Sequence, residues 1–122
     1  TTYFIDSNGN LTPTIQSKGE RVLSKSTCNE IKKAMATTTT IGTGKAAFSS
    51  LFDSCTKTAT AQSGQYDEKG IEIKYCWFVG FFPIEKPRYV VCILKENGSS
   101  GGTDGAPVFK EISENIYIND MN

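Results

Sequence analysis

Residues 75–95 read YCWFVGFFPIEKPRYVVCILK and contain two apolar runs, each as long as an ordinary β-strand. The first run, 75–83, is aromatic and apolar, and the second, 88–95, is rich in Val, Ile and Leu. Residues of these types are enriched in strands, and the aromatic residues at 77, 78, 81 and 82 are expected in the core rather than on an exposed carbohydrate-binding surface. The two runs are separated by residues 84–87, and a connection of this length suits an antiparallel hairpin. The stretch therefore predicts two neighbouring antiparallel strands.

A third strand is predicted upstream of this hairpin. Residues 54–63, SCTKTATAQS, are rich in Thr and alternate in polarity, as expected of a strand with one buried face. The link that follows, residues 64–74, is polar and is expected to be exposed. We therefore expect strands 54–62, 75–82 and 88–94 to be neighbours in one antiparallel sheet.

Helices are predicted on both sides of these strands along the chain. Ser24 or Ser26 can cap an upstream helix, which ends in the β-branched run 37–40. Its stripe at helical spacing consists of Cys28, Ile31, Lys32 and Met35. Pro107 suits the first turn of a second helix, with Asp104 as its cap. The stripe of that helix consists of Val108, Phe109, Ile112 and Ile116.

The beginning of the chain predicts a small hairpin of its own. Residues 2–6 are rich in strand formers, residues 7–10 read SNGN and contain an Asn-Gly turn signal, and residues 11–16 suit a return strand. Helices placed before and after the strands, without β-α-β alternation, predict an α+β fold with an antiparallel sheet flanked by helices. A chain of 122 residues suits a single domain, residues 1–122.

Charge and histidine content exclude several classes of function. Lys plus Arg and Asp plus Glu both total 13, so the net charge is zero, which argues against nucleic acid as a partner. The chain has no histidine, which excludes Ser-His-Asp triads, Cys-His dyads and His-ligated zinc. Any nucleophilic chemistry would need Lys or a carboxylate as its base. No stretch approaches the roughly 18 apolar residues of a membrane helix.

The cysteines and the first glycine loop point to no bound metal or phosphate. The four cysteines form no C-x-x-C pair, so thiolate-bound metal is not expected. Cys76 and Cys92 lie inside apolar runs, which favours buried free thiols, although the pairing state stays open. The loop 41–45 is not a phosphate-binding loop, because Thr39 stands at its first glycine position and Ala46 at its Ser/Thr position. We expect neither a metal nor an organic cofactor.

Several short motifs occur in a fixed order along the chain. They read KTATAQ at 57–62, WFVGFFP at 77–83, YVV at 89–91, GG at 101–102 and APVF at 106–109, preceded by Met35 and GTG at 42–44 with Ala46 or Ala47. This series resembles the C-terminal part of the transpeptidase domain of class B penicillin-binding proteins, over about residues 20–112. The single partial domain would then be the C-terminal segment of that transpeptidase fold.

The resemblance implies acyl transfer by an active-site serine with the motifs S-x-x-K, S-x-N and K-[ST]-G. The third motif is matched by Lys57, Thr58 and Thr60, so Lys57 is the candidate catalytic residue and Thr58, Ala59 and Thr60 are the candidate substrate-binding residues. On a strand, Thr58 and Thr60 point to one face, where two hydroxyls can meet a substrate carboxylate. In the family, the backbone N–H at the Thr60 position also helps to form the oxyanion hole.

Two positions depart from the family pattern. Ala59 stands where the family has glycine, and Thr56 stands where glycine often precedes the lysine. Glycine in a strand commonly marks a close approach by another group, so the Ala59 methyl is expected to crowd the helix that carries the nucleophile. This puts full-strength transpeptidation in doubt.

Two further motif matches are interpreted as chance. Ser54 and Lys57 satisfy S-x-x-K literally, but i and i+3 share a face on a helix and point to opposite faces of a strand. Ser113 and Asn115 satisfy S-x-N, but they follow the lysine motif, whereas the family places this motif before it. The nucleophilic serine is therefore expected to belong to sequence outside these residues.

The hypothesis is a D,D-transpeptidase parent that cross-links peptidoglycan stem peptides and is acylated by β-lactams. Its partners would be those ligands and the remaining N-terminal part of the domain, at the extracytoplasmic face of a bacterial membrane, with self-association possible for the fragment. One alternative is a penicilloyl-binding sensor or β-lactamase of the same superfamily. Another is a non-catalytic surface or scaffold module in which Ala59 marks a decayed site. Residues 98–105, rich in Gly and Ser, are interpreted as a plain flexible connector, with a border of the site as the alternative.

Overall fold

The computed structural model describes residues 3–13 and 19–120. Its strands are β1 (Tyr3–Ile5), β2 (Leu11–Pro13), β3 (Cys55–Tyr66), β4 (Glu72–Phe82) and β5 (Tyr89–Glu96), and its helices are α1 (Lys25–Thr40) and α2 (Ala106–Asp120). A 3-10 turn, Lys45–Ala47, and a π-helical turn, Gly101–Gly105, precede β3 and α2. This is the predicted α+β architecture.

The main sheet has the strand order β3-β4-β5, and both neighbouring pairs are antiparallel. This confirms the three predicted strands and their pairing. Strands β3 and β4 are longer than predicted, so the polar link is reduced to a turn at 67–71 and most of residues 64–74 are strand. Polar groups support this extension across the two strands: Gln62 Nε2 donates to Glu72 Oε2 at 2.9 Å, and Gly64 N donates to Glu72 Oε1 at 3.2 Å.

The predicted first hairpin is present. Strands β1 and β2 pair antiparallel, with Ile5 opposite Leu11. The Asp6 carboxylate accepts hydrogen bonds from the backbone N–H groups of Asn8 and Asn10, both at 2.9 Å, which stabilises the tight turn. Residue 2 and the part of the predicted return strand beyond Pro13 lie outside the described residues.

Helix α1 begins at the first of its two candidate caps, because Ser24 Oγ accepts a hydrogen bond from Thr27 N at 3.1 Å. The helix includes the whole Thr37–Thr40 run. In that run, Thr37 and Thr40 donate their hydroxyls to carbonyls four residues back, which satisfies these side chains within the helix. Thr39 instead points inward, so this β-branched run attaches the helix to β3.

The core lies between one face of the sheet and helix α2. It consists of Ala47, Phe52, Phe78, Phe82, Ala106 and Phe109. The Phe109 ring lies 5.3 Å from that of Phe78 and 6.0 Å from that of Phe82, and it passes over Gly80, which has no side chain between them. Aromatic pairs at such distances stabilise a core beyond the apolar area that they bury.

The predicted stripe of α2 is correct for two of its four residues. Phe109 is fully buried and Ile116 packs against the core, whereas Val108 and Ile112 are 42% and 38% exposed. The helix is rotated so that Ser113, one turn after Phe109, takes the buried position. Asp104 does not cap α2, since its carboxylate is bonded to Lys95, Ser99 and Ser100 instead.

The opposite face of the sheet is much less covered. Trp77 was expected in the core with the other aromatics of β4, but it is 40% exposed, and Leu94 beside it is 45% exposed. Cys92, also expected to be buried, is exposed on this face. Side chains alternate along a strand, and α2 covers the face of Phe78 and Phe82 alone, so the hydrophobic character of these runs does not tell which face is buried.

All four cysteines are free. Cys76 is buried, as predicted, and so is Cys55, whose thiol donates to the carbonyl of Lys32 at 3.2 Å. Burial raises the pKa of the Cys55 thiol, partly opposed by the charge of Lys32. The helices in the described part of the chain are too short or too polar to cross a membrane.

Gly80→Ala should lower the free energy of unfolding by about 1–3 kcal/mol, because inserted atoms overpack a dense core. A Cβ at this position would lie 2.6 Å from Phe109 Cε2 and 2.9 Å from Thr56 Cγ2. Urea unfolding of the chain measures the change. Gly19→Ala is the control, since nothing lies within 4 Å of a Cβ there. Equal stabilities for the two variants would contradict the described packing of Phe109 over Gly80.

Candidate substrate-binding cleft

An open cleft of about 590 Å³ lies beside β3. One wall is β3 itself, which contributes Thr58 and Thr60. The other walls are the 3-10 turn with the loop before it, and the turn before α2. They contribute Gly42, Thr43, Lys45, Ala46, Ser100, Gly101, Gly102 and Thr103. The walls are rich in hydroxyl groups, and Lys45 is the only charged residue that the described part of the chain contributes to them.

The alternation of β3 decides which motif residues reach the cleft. Thr58 and Thr60 lie opposite Phe78 and Cys76, on the sheet face that carries α2 and the turn before it. The Thr58 hydroxyl is hydrogen-bonded to the Thr43 hydroxyl at 2.8 Å. Two hydroxyls of the strand motif therefore share one face, as the sequence predicted, and the loop adds a third.

The other two motif residues lie on the opposite face. Lys57 and Ala59 pair with Val79 and Trp77, so their side chains are separated from the threonine hydroxyls by the strand. Lys57 is exposed, and its Nζ donates to the carbonyl of Thr58. The Ala59 methyl, expected to crowd a neighbouring helix, is exposed beside Trp77 and does not line the cleft.

Strand β3 is an edge strand, and its outer edge runs along the cleft. A Cβ on Gly101 would lie 2.2 Å from Trp77 O, 2.8 Å from Ala59 O and 3.1 Å from Ala59 N. These atoms cluster between β3 and β4, so the Ala59 peptide groups point toward β4. Since peptide directions alternate along a strand, those of Thr58 and Thr60 point outward. The Lys57 ammonium bound to the Thr58 carbonyl agrees with this orientation.

Thr56, the second departure from the family pattern, is fully buried behind the cleft. Its hydroxyl is hydrogen-bonded to Thr39 Oγ1 of α1 at 2.9 Å. Space for it comes from two glycines: a Cβ on Gly44 would lie 2.5 Å from Thr56 Oγ1, and one on Gly80 would lie 2.9 Å from Thr56 Cγ2. The threonine therefore joins α1 to β3, a contact that the sequence did not predict.

The Gly/Ser segment at 98–105 borders the cleft, which was the alternative, and its interpretation as a plain connector was wrong. Gly101 packs on the backbones of β3 and β4, and a Cβ on Gly102 would lie 2.3 Å from Thr43 O. Gly101 and Gly105 are buried. The segment forms a wall of the cleft because glycines allow its backbone to approach two other backbones closely.

Asp104 anchors this wall. Its carboxylate accepts hydrogen bonds from Lys95 Nζ at 2.5 Å, from Ser100 N at 2.9 Å and from Ser99 N at 2.7 Å. The Lys95 ammonium, followed by the Ser100 N–H, holds the pKa of Asp104 well below its usual range. The anchor is therefore ionised throughout the neutral and mildly acidic range.

The two chance motif matches are buried. Ser54 is 4% exposed and its carbonyl accepts from the Thr39 hydroxyl, while Ser113 is fully buried and donates to the Lys110 carbonyl. Neither hydroxyl is accessible to a substrate. The described residues contain no group of His, Cys, Asp or Glu side chains that could hold a metal ion.

Sequence reasoning missed four cleft residues: Thr43, Lys45, Ser100 and Thr103. Thr43 lies within the GTG motif and Ser100 and Thr103 flank the GG motif, so motif order gave a signal for both loops. No pattern in the sequence indicated Lys45.

Comparison with known proteins defines the family of this fold and site. The family profile of the penicillin-binding protein transpeptidase domain matches residues 2–114. The probable peptidoglycan D,D-transpeptidase PenA of Neisseria flavescens is 36% identical over 104 residues, which cover 78% of this chain. The peptidoglycan D,D-transpeptidase MrdA of Haemophilus influenzae is 27% identical over 88 residues.

Solved structures agree with this result. The transpeptidase domain of the FtsI4 D,D-transpeptidase from Legionella pneumophila superposes with a TM-score of 0.68 at 28% identity, over 75% of this chain and 35% of that one. Penicillin-binding protein 3 from Mycobacterium tuberculosis, complexed with ampicillin, shares the fold with a TM-score of 0.70 at 22% identity, over 97% of this chain and 29% of that one.

The chain belongs to the penicillin-binding protein transpeptidase family. It spans 25% of the length of PenA from N. flavescens and 13% of the length of MrdA from H. influenzae. The resemblance drawn from the motifs is thereby confirmed.

Asp104→Asn should destabilise the chain at pH 7, and the difference from the unchanged chain should shrink as the pH falls. The folded pKa of Asp104 lies below its ordinary value of 3.8, so its carboxylate stabilises the fold above that value and loses this effect as the pH falls through the range beneath it. Urea unfolding at pH 7 and at about pH 2.5 tests this linkage. A difference that is the same at both pH values would contradict it.

Proposed function

We propose that a protein carrying this chain is a serine-type D,D-transpeptidase of peptidoglycan, in which this chain is the C-terminal segment of the domain and supplies the substrate-binding strand. One observation carries the proposal. Thr58 and Thr60 lie on one face of an edge strand, beside a cleft with further hydroxyls and the ammonium of Lys45. Hydroxyl and ammonium groups are the donors that a carboxylate-ended ligand requires.

The cleft supports carboxylate binding in a defined way. Either Thr43 or Thr58 donates to the other, so that pair offers one further hydroxyl proton, and Thr60 offers another. A stem-peptide or β-lactam carboxylate placed beside β3 would accept both. The Lys45 side chain would add attractive potential from the neighbouring wall.

The outer edge of β3 supports the second part of acyl transfer. The peptide N–H of Thr60 points away from the sheet, where it can donate to the oxygen on which charge develops. Removal of one such donor from an oxyanion hole lowers kcat by a factor of about 10²–10³. A substrate backbone could also pair with this edge as an added strand.

Lys57 acts in this proposal as a positive charge on the far side of β3. Its Nζ is exposed and held at the Thr58 carbonyl, so it can reach groups that approach the sheet from that face. The serine nucleophile and the S-x-N motif would come from the rest of the domain on this side. The Ala59 methyl, on the same face beside Trp77, is then the departure that would slow acylation.

The setting of the whole protein follows from this chemistry. Peptidoglycan lies outside the cytoplasmic membrane, so the catalytic domain would work at its extracytoplasmic face. The exposed sheet face around Trp77 and Leu94 would be covered by the remaining N-terminal part of the domain.

The 122-residue chain should form no covalent adduct with a labelled penicillin, and the longer protein that carries it should form one at a serine outside residues 1–122. Lys57→Ala and Thr60→Val in the longer protein should slow adduct formation by at least about tenfold. Ala59→Gly should be neutral or faster. Intact-mass measurement over time gives the rate of adduct formation for each protein, and peptide mapping locates the modified residue.

Two substitutions far from the cleft provide matched controls. Lys69→Ala removes an exposed lysine from the β3–β4 turn, and Thr12→Val removes an exposed hydroxyl from β2; both should leave the rate unchanged. An adduct on Ser54 in the short chain would overturn the motif assignment. A longer protein that stays unmodified would instead favour the non-catalytic scaffold.

The isolated chain should self-associate, because the sheet face opposite α2 exposes apolar side chains such as Val90, at 73%, and Leu94, at 45%. Sedimentation should show dimers or larger species in dilute solution, and Val90→Thr with Leu94→Gln should reduce them. Val22→Thr, at an 86% exposed residue outside the sheet, is the control. A compact monomer with a sharp, high melting transition would show that this face needs no cover.

A further inference from the structure

The Asp104 carboxylate is nearly enclosed, with 11% of its side chain exposed. It accepts hydrogen bonds from Lys95 Nζ, from Ser100 N, and from both the N–H and the hydroxyl of Ser99 at 2.7 and 3.0 Å. Three of these bonds fall on Oδ2 and the one from Lys95 falls on Oδ1, so four donors of the surrounding chain hold the carboxylate. Asp104 therefore fixes the backbone at Ser99 and Ser100.

The segment that Asp104 fixes continues into the cleft. Ser100 Oγ accepts a hydrogen bond from Thr103 N at 3.1 Å and donates one to Thr103 Oγ1 at 2.9 Å. Thr103 Oγ1 is an acceptor in this pair, so its own proton is left for another partner. Thr103 lines the same cleft as Thr58 and Thr60.

Close backbone contacts hold the other side of this turn. Gly101 lies against the backbones of Ala59 and Trp77, and Gly102 lies against the carbonyl of Thr43. These contacts prevent the turn from moving closer to β3. Polar restraint against moving away comes from Gly98 N, which donates to Lys74 O of β4 at 3.3 Å, and from Asp104, which joins Ser99 and Ser100 to Lys95 of β5.

We propose that Asp104 is a positioning residue of the cleft, which acts through Ser100 to keep the Thr103 hydroxyl facing Thr58 and Thr60 as a third donor for the ligand carboxylate. This inference rests on the proposed function, because it assumes that the cleft binds a carboxylate. It assigns to Asp104 an effect on ligand affinity and none on the chemical step.

The sign of the charge effect separates positioning from electrostatics. Loss of the Asp104 charge leaves Lys95 uncompensated and makes the surroundings of the cleft more positive. Electrostatics alone would therefore strengthen carboxylate binding in Asp104→Asn and Asp104→Ala. Loss of positioning weakens it, since an unrestrained turn must be ordered when the ligand binds.

The test uses the full-length protein that carries this chain and two ligands, a fluorescent penicillin and its methyl ester, which lacks the carboxylate charge. Stopped-flow acylation separates the dissociation constant of the first complex from the rate constant of the covalent step. Asp104→Ala should raise the dissociation constant of the penicillin about tenfold and leave the covalent rate constant within about threefold. The dissociation constant of the ester should be unchanged.

A double-mutant cycle tests the route through Thr103. Thr103→Val should weaken penicillin binding about three- to tenfold, and adding Asp104→Ala to it should cause little further loss, because both changes remove the same donor. Asp104→Asn keeps one acceptor oxygen and should give an intermediate loss. It also keeps the test available if Asp104→Ala does not fold.

The outcomes distinguish this inference from the function on which it rests. Absence of any acylation in the unchanged protein would overturn the proposed function and the inference with it. Normal acylation combined with unchanged or tighter penicillin binding in the Asp104 variants would overturn the inference alone. Losses that add fully in the double variant, or that appear equally with the ester, would also overturn it.

Discussion

The contact between the Phe109 ring and the bare backbone of Gly80 sets the distance between α2 and the sheet. Phe78 and Phe82 flank that ring, so the position of α2 along β4 is fixed and the helix has little freedom to slide. The turn before α2 is continuous with the helix, so the position of the helix also places this turn at the edge of β3. Core packing thus places a wall of the cleft.

Hydrogen bonds between threonine hydroxyl groups join further elements to β3. Thr39 and Thr56 connect α1 to the buried start of β3, and Thr43 and Thr58 connect the next loop to its exposed continuation. The buried pair is satisfied within the protein, because Thr39 also donates to the Ser54 carbonyl, whereas the Thr43–Thr58 pair keeps one hydroxyl proton on the side of the cleft. The glycines at 44, 101 and 102 make the same junctions possible, since a methyl group at any of them would meet a neighbouring atom at 2.2–2.5 Å.

The strand motif divides its chemistry between two sheet faces. Thr58 and Thr60 face the cleft, whereas Lys57 and Ala59 face the side on which Trp77, Val90 and Leu94 are exposed. A ligand beside the edge of β3 can be contacted from both faces at once. In the proposed function, the nucleophile would approach from the side of Lys57, and the threonines would hold the ligand carboxylate from the other.

The sequence by itself determined the three-stranded antiparallel sheet, the two helices, the family and the shared face of Thr58 and Thr60, because strand alternation, turn signals and motif order are local properties. Tertiary structure decided that Trp77 and Cys92 are exposed, that Ser113 replaces Ile112 on the buried side of α2, and that the Gly/Ser segment is a wall held by Asp104. A strand that is apolar at every position has two apolar faces, and only the packing of α2 on one of them decides which face is buried.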